Sequence, residues 1–164
     1  MIKKIDTQST TLRRKDKKIT NKEIIIEILQ KSQVCRIAIF TDEYPYIVPM
    51  NYGYNNSALY LHSALEGRKI ELLKQNNKVG FEIEQEYEVL KDELSCKWTT
   101  KYRSIIGYGD IEFINDKKQK VDGLNIIMEH HGKKENVYND KAVDNVNIIK
   151  LHIKKLTAKQ SGKW

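Results

Sequence analysis

Six runs of β-branched and alternating apolar residues, each closed by a polar turn, constrain this chain more than any other feature. They cover residues 34–40, 44–54, 58–62, 79–89, 97–114 and 146–156. Runs of this length, rich in Val, Ile and Tyr and bounded by polar clusters, read as strands. Only Thr41-Asp42-Glu43 and Asn55-Asn56-Ser57 separate the first three. Links that short cannot hold a crossover helix, so these strands must run antiparallel. Pro45 and Pro49 fall inside the second run, and proline brings no ladder N–H, which predicts an edge or a bulge there. Gly107 and Gly109 predict a bend or bulge in the long fifth run.

Three helical segments complete the pattern. Thr20 and Glu23 fit a capping box, followed by Ile24, Ile25, Ile28 and Leu29 on one side of a helix to about residue 32. Residues 66–75 carry Ile70, Leu72 and Leu73 on one side, and Asn76-Asn77 ends the segment. Residues 117–131 carry Val121, Leu124, Ile127 and Met128 inward, with Gly132 as the stop. The absence of strict strand–helix alternation excludes a doubly wound parallel sheet. The expected fold is mainly β: an antiparallel barrel of about six strands with flanking helices.

At 164 residues the chain makes one domain, expected over 19–160, and 40% apolar residues suffice for its core. Of the net +7, residues 1–18 hold +5, so they are expected to be a flexible basic arm on a nearly neutral body; 161–164 are expected to be a polar tail. Such an arm leaves nucleic acid an unexpected partner. No apolar run approaches the roughly 18–20 residues that span a bilayer. Cys35 and Cys96 form no disulfide framework, and the first residues lack a leader's apolar stretch, so a cytoplasmic location is expected.

Phosphate-loop, dinucleotide-turn and nucleophile-elbow motifs are absent from the sequence. The four histidines and two cysteines show no zinc spacing. The segment His62-Ser63-Ala64-Leu65-Glu66-Gly67-Arg68-Lys69 stands out instead, because a strand ends in His-Ser and a helix begins with two cations. Basic residues in a first turn oppose the helix dipole, and an anion bound at the free N–H groups would explain them; a solvated Arg-Lys pair is the other reading. In the second run, Val48, Pro49 and Met50 could form a flat wall for a planar ring, with Asn51 beside it, or could simply be a buried strand. Trp98 and Tyr102 could stack on a ring, line a subunit interface or pack in the core.

Taken in order, Arg13-Arg14-Lys15-Asp16, Val34-Cys35-Arg36-Ile37-Ala38, residues 44–54, His62-Ser63-Ala64 with Glu66-Gly67-Arg68-Lys69, and Trp98 with residues 102–109 resemble one family. It is the pyridoxamine 5′-phosphate oxidase-like flavin-binding split barrels, in their nitroimidazole-resistance subgroup. The resemblance covers about residues 12–160. It implies a split-barrel homodimer with FMN, or sometimes FAD, at the subunit interface. It places the flavin phosphate near Ser63, Arg68 and Lys69, the ring against Val48, Pro49, Met50 and Asn51, and His62 beside the flavin as the catalytic residue. Contacts from the partner subunit would come from Trp98, Ser104, Ile105 and Gly107. Gly67 stands where the oxidases have serine, which agrees with the nitroimidazole subgroup and argues against oxidation of pyridoxamine phosphate. Ala158 stands where the subgroup often has glycine.

The expected function is a flavin-dependent oxidoreductase that reduces nitro compounds such as 5-nitroimidazoles, or another small-molecule electron acceptor. His62 would be a proton donor, since imidazole is the side chain that titrates nearest neutrality. The alternative is a flavin- or haem-binding module without turnover.

Overall fold

The structure is a computed structural model that describes residues 14–164. The main part of the predicted basic arm, residues 1–13, therefore lies outside the described residues. A single 3-10 turn at Lys15–Lys17 leads into β1 (Lys18–Ile19) and α1 (Lys22–Lys31). The strands β2 (Val34–Ile39), β3 (Tyr46–Asn55) and β4 (Ala58–Ser63) follow as the expected meander. Next come α2 (Arg68–Gln75), β5 (Lys78–Leu90) and β6 (Thr99–Ile114). The chain closes with α3 (Lys117–His130), α4 (Asp140–Asp144) and β7 (Asn147–Ser161).

The sheet runs β1-β7-β4-β3-β2-β5-β6, and β6 pairs again with β7. That last pairing closes six antiparallel strands into a barrel with flanking helices, as expected. The two-residue β1 pairs with Lys159 and Ala158 of β7, so Lys18 belongs to the sheet. β7 is longer than its apolar run suggested, because its far half pairs with β6 after β4 has ended.

Alternation along the strands decides what faces in. The registers Cys35↔Met50 and Cys35↔Ile83 put these three side chains in one inward layer, and Ile37↔Val48 and Ile37↔Phe81 make the next. One end of the barrel is closed by Ile25, Ile28 and Leu29 of α1, and Ile70 and Leu73 of α2 join the same core. The buried Tyr52 hydroxyl donates to the Leu29 carbonyl at 2.9 Å, tying α1 to β3. α3 lies on the outer surface of β3, β4 and β7, over a separate apolar patch of Ile114, Ile127, Val143 and Ile148. There the burial falls on Gly123 and Ile127, whereas Val121, Leu124 and Met128 are only half-buried.

Several local expectations are corrected. The cap of α1 is Asn21, whose side chain accepts from the Glu23 N–H, rather than Thr20. β3 begins at Tyr46, so Pro45 is outside it and only Pro49 is within. The edge expected at proline is present: β3 pairs with β4 only from Tyr52 to Asn55, so around Pro49 its other border carries no β4 partner. This is where the barrel is split. The bulge expected near Gly109 is present too, with the extra residue, Lys154, on β7. A second bulge at Glu86, which has φ +50, breaks the β5–β6 register. α4, inside a predicted loop, is capped by the Asn139 side chain. No helix among the described residues is long and apolar enough to cross a membrane.

Candidate functional site

The outer surface of the barrel is built in rungs. One residue beyond the Tyr52↔Leu61 pair, His62 on β4 stands beside Asn51 on β3. Across the sheet the same rung continues through Val34, Glu84 and Ser104. The next rung holds Pro49, Arg36, Glu82 and Ile106, and the one after it Ile47, Ala38, Gly80 and Tyr108. His62, Asn51, Pro49 and Ile47 therefore form one exposed strip along the split edge. Arg36 and Glu82 pair at 2.8 Å in the middle of this face.

The wall expected from Val48, Pro49 and Met50 together is corrected by the pleat. Successive side chains alternate, so Val48 and Met50 turn into the core and bring only backbone to the surface. Ile47, 60% exposed, takes their place in the strip. Period-two alternation alone could have found it.

At the last residue of β4 the Ser63 side chain is buried, and its hydroxyl donates to the Ala64 carbonyl at 3.0 Å, leaving its lone pairs unused by that bond. Asn147 also donates to the Ala64 carbonyl, at 2.9 Å, which fixes the turn. Gly67 then takes φ +118, a conformation that side chains rarely adopt. A Cβ there would have open space around it, so backbone angle and not crowding explains the glycine. α2 starts at Arg68 with no side-chain cap, and its first intrahelical bonds begin at the Ile70 N–H. The N–H groups of the first turn thus point out of the helix beside an exposed Arg68 and a half-buried Lys69. The Arg68 guanidinium lies 4.9 Å from the ring of Tyr46, the first residue of β3, which packs towards the core on the side of the pleat opposite Ile47. Uncapped donors and two cations at the end of a flat strip fit a phosphate joined to a planar ring.

The remaining predicted residues are placed elsewhere. Ser104 shares the rung of His62 but lies four strand spacings away around the sheet, about 19 Å. Ile105 is fully buried in this chain's own core, and Gly107 backs onto the Phe81 ring, so both can offer only backbone to a ligand. Trp98 is half-exposed, with its indole N–H donating to the Asp92 carbonyl at 2.7 Å and Lys91 over the ring. One chain therefore carries two separated half-sets: β3, β4 and α2 on one side, and β6 with Trp98 on the other.

The thiols are unalike. Burial pushes Cys35 up to about 12, whereas Cys96 is exposed. No cluster of three or more His, Cys, Asp or Glu that could hold a metal occurs among the described residues.

A closed six-stranded antiparallel barrel, split along one edge with a helix start at the split, defines the split-barrel class. The family profile of pyridoxamine 5′-phosphate oxidase matches residues 21–160, and the chain belongs to that family. It is 37% identical to a candidate 5-nitroimidazole antibiotic resistance protein from Bacteroides thetaiotaomicron VPI-5482. That likeness covers 87% of this chain and 85% of that one, with a TM-score of 0.78. An FAD- and haem-binding protein from Mycobacterium smegmatis shares the fold, with TM-score 0.80 and 19% identity over 90% of this chain and 75% of that one. An uncharacterized protein of Rhizobium meliloti (strain 1021) is 30% identical over 66 residues, 40% of this chain and 43% of its own length. The chain thus spans under half of that curated relative.

Proposed function

We propose that this protein holds FMN along the outer strip of β3 and reduces small electron-poor acceptors, nitro compounds such as 5-nitroimidazoles among them. The observation that carries the proposal is the convergence of His62, Asn51, Pro49 and the uncapped start of α2 along one exposed edge. Reduced flavin supplies the electrons. Arg68 and Lys69 with the first-turn N–H groups hold the phosphate, and Gly67 provides the backbone angle that presents them. Ile47, Pro49 and the β3 backbone give the ring an apolar bed. His62 stands at the far end of the strip and delivers a proton to the reduced acceptor.

The reading includes a homodimer. A ligand bedded on β3 cannot reach its own chain's Ser104 or Trp98, whereas a second copy laid across this face can bring them. The 37% identical relative with its nitroimidazole name supports the acceptor class. Two unpaired thiols suit a reducing cytoplasm.

The test is reduction of a 5-nitroimidazole under anaerobic conditions by protein carrying reduced FMN, compared with His62→Gln. The proposal expects turnover in the parent and a loss of at least about tenfold in the variant with flavin still bound. Bound flavin with no product from any of several nitro acceptors would replace it with the non-catalytic binding module.

A further inference from the structure

The rung that carries His62 does not end at Ser104. Ser104 on β6 is paired with Lys159 on β7, and Lys159 with Lys18 on β1. The next residues along these strands, Ile105, Ala158 and Ile19, are buried in the core. The pleat therefore turns Ser104, Lys159 and Lys18 together onto the outer face. Two lysines thus stand directly opposite each other, and like charges in that position destabilise a ladder. Neither is in an ion pair among the described residues. The one carboxylate on the rung, Glu84, is two strand spacings from Lys159, about 10 Å. Lys159 is half-buried, so water does not fully solvate its charge. Two opposed, unpaired cations beside a hydroxyl fit an anion better than they fit a plain surface.

The β3 strip has the opposite need. Its cations, Arg68 and Lys69, stand at the phosphate end. Arg36, in the middle of the face, is neutralised by Glu82 at 2.8 Å. Around Ile47, Pro49 and Asn51 the chain offers a ring no lysine or arginine free of a carboxylate. A flavin ring that takes up two electrons and one proton carries one negative charge, and charge placed beside it sets its potential.

We infer that Lys159 and Lys18 of the second copy, carried with Ser104 onto the β3 strip, face the flavin ring and stabilise its reduced, anionic form. This rests on the flavin-bound homodimer proposed above and adds to it the residues that set the flavin's potential. Lys159 is the larger contributor, because it is half-buried directly opposite Ser104. Lys18, exposed on a two-residue edge strand, is the smaller.

The experiment is an anaerobic dithionite titration of the FMN-loaded dimer, read as the flavin's midpoint potential, with dimer mass followed by light scattering. Lys159→Ala should weaken the hold on reduced flavin at least about tenfold relative to oxidised flavin, the scale of one charge-assisted contact. That lowers the two-electron potential by at least about 30 mV. Lys159→Arg should keep the parent potential. Lys118→Ala, at an exposed lysine in the first turn of α3, should leave it unchanged. A mixed dimer of Lys159→Ala and Arg68→Ala chains should hold one flavin tightly, at the parent potential, since one of its two sites joins an intact strip to an intact Lys159. An unchanged potential in Lys159→Ala, equal loss of oxidised and reduced flavin, or a lowered potential for the tight flavin of the mixed dimer would each overturn the inference and leave the flavin reading in place. A parent protein that retains no flavin would overturn both.

Discussion

Two glycines on the barrel surface make opposite predictions for the same substitution. A Cβ on Gly53 would lie 2.5 Å from the Ile126 carbonyl oxygen and 2.7 Å from the neighbouring Ile126 and Ile127 backbone atoms. These are atoms of α3, which cannot rotate aside as a side chain can. Ordinary contact begins at 3.4 Å, so α3 must retreat by about 0.9 Å. A gap of that size forfeits roughly a quarter to a half of each dispersion contact it opens. The contacts at risk are those of Ile127 and Ile148 beneath the helix. Overpacking typically costs about 1–3 kcal/mol, and a rigid obstacle places Gly53→Ala at about 2–3 kcal/mol. At roughly 2–4 °C per kcal/mol for a domain of this size, Tm should fall by about 4–12 °C. On Gly80 the nearest atom to a new Cβ is the Ala38 Cβ at 3.7 Å, an ordinary contact. Both variants share the gain of about 0.4–1 kcal/mol from a stiffer unfolded chain, so the difference between them isolates the clash. Thermal and urea unfolding of the two variants side by side measure it. Stabilities within about 0.5 kcal/mol of each other, the range of ordinary surface substitutions, would refute the docking of α3 on Gly53.

Tyr52→Phe removes the donor to the Leu29 carbonyl and should cost about 0.5–1.5 kcal/mol in urea unfolding, more if that carbonyl stays dry. The His130 imidazole accepts from the Tyr54 N–H and donates to the Ser32 carbonyl, and burial holds it below its ordinary value. The unfolded chain then takes up the proton first, so this contribution is complete above about pH 6.5 and is lost as pH falls through the lower folded value. Tm should therefore drop more between about pH 7 and pH 5 in the parent than in His130→Asn; equal slopes would count against it. With Cys35 buried at about 12 and Cys96 exposed, a thiol reagent should titrate one thiol in the native protein and both in denaturant. Arg68→Ala should weaken FMN binding about ten- to a hundredfold, the loss of one charge-assisted bond to phosphate, with no change in Tm of the flavin-free protein.

What the sequence made legible follows from range. Strand runs and the Asn55-Asn56-Ser57 turn are local, and Asn56 and Ser57 do take the positive φ of a tight hairpin. The His-Ser to Gly-Arg-Lys junction was equally readable, because its components are adjacent in sequence. The cap of α1 is ambiguous by one residue in the sequence, because Thr20 and Asn21 are both good caps and only the chain's entry angle selects Asn21. Closure of β6 on β7 joins residues from 34 positions apart (Ile114 and Ile148) to 59 (Tyr102 and Ser161), and no local pattern records it. Apolar composition groups Val48 and Met50 with Pro49, whereas the pleat assigns them to the opposite face. Ser104 and Trp98 look continuous with the site only when the strands are counted along the chain; around the barrel they lie on its other side.

The most direct test of the account is gel filtration with light scattering and visible absorbance, run on protein mixed with excess FMN. Flavin shared across two copies predicts that the visible flavin band elutes with a particle of about 38 kDa, twice the 19.2 kDa of one chain, at one flavin per chain. A flavin-free protein peak, or flavin held by a particle of single-chain mass, would contradict it.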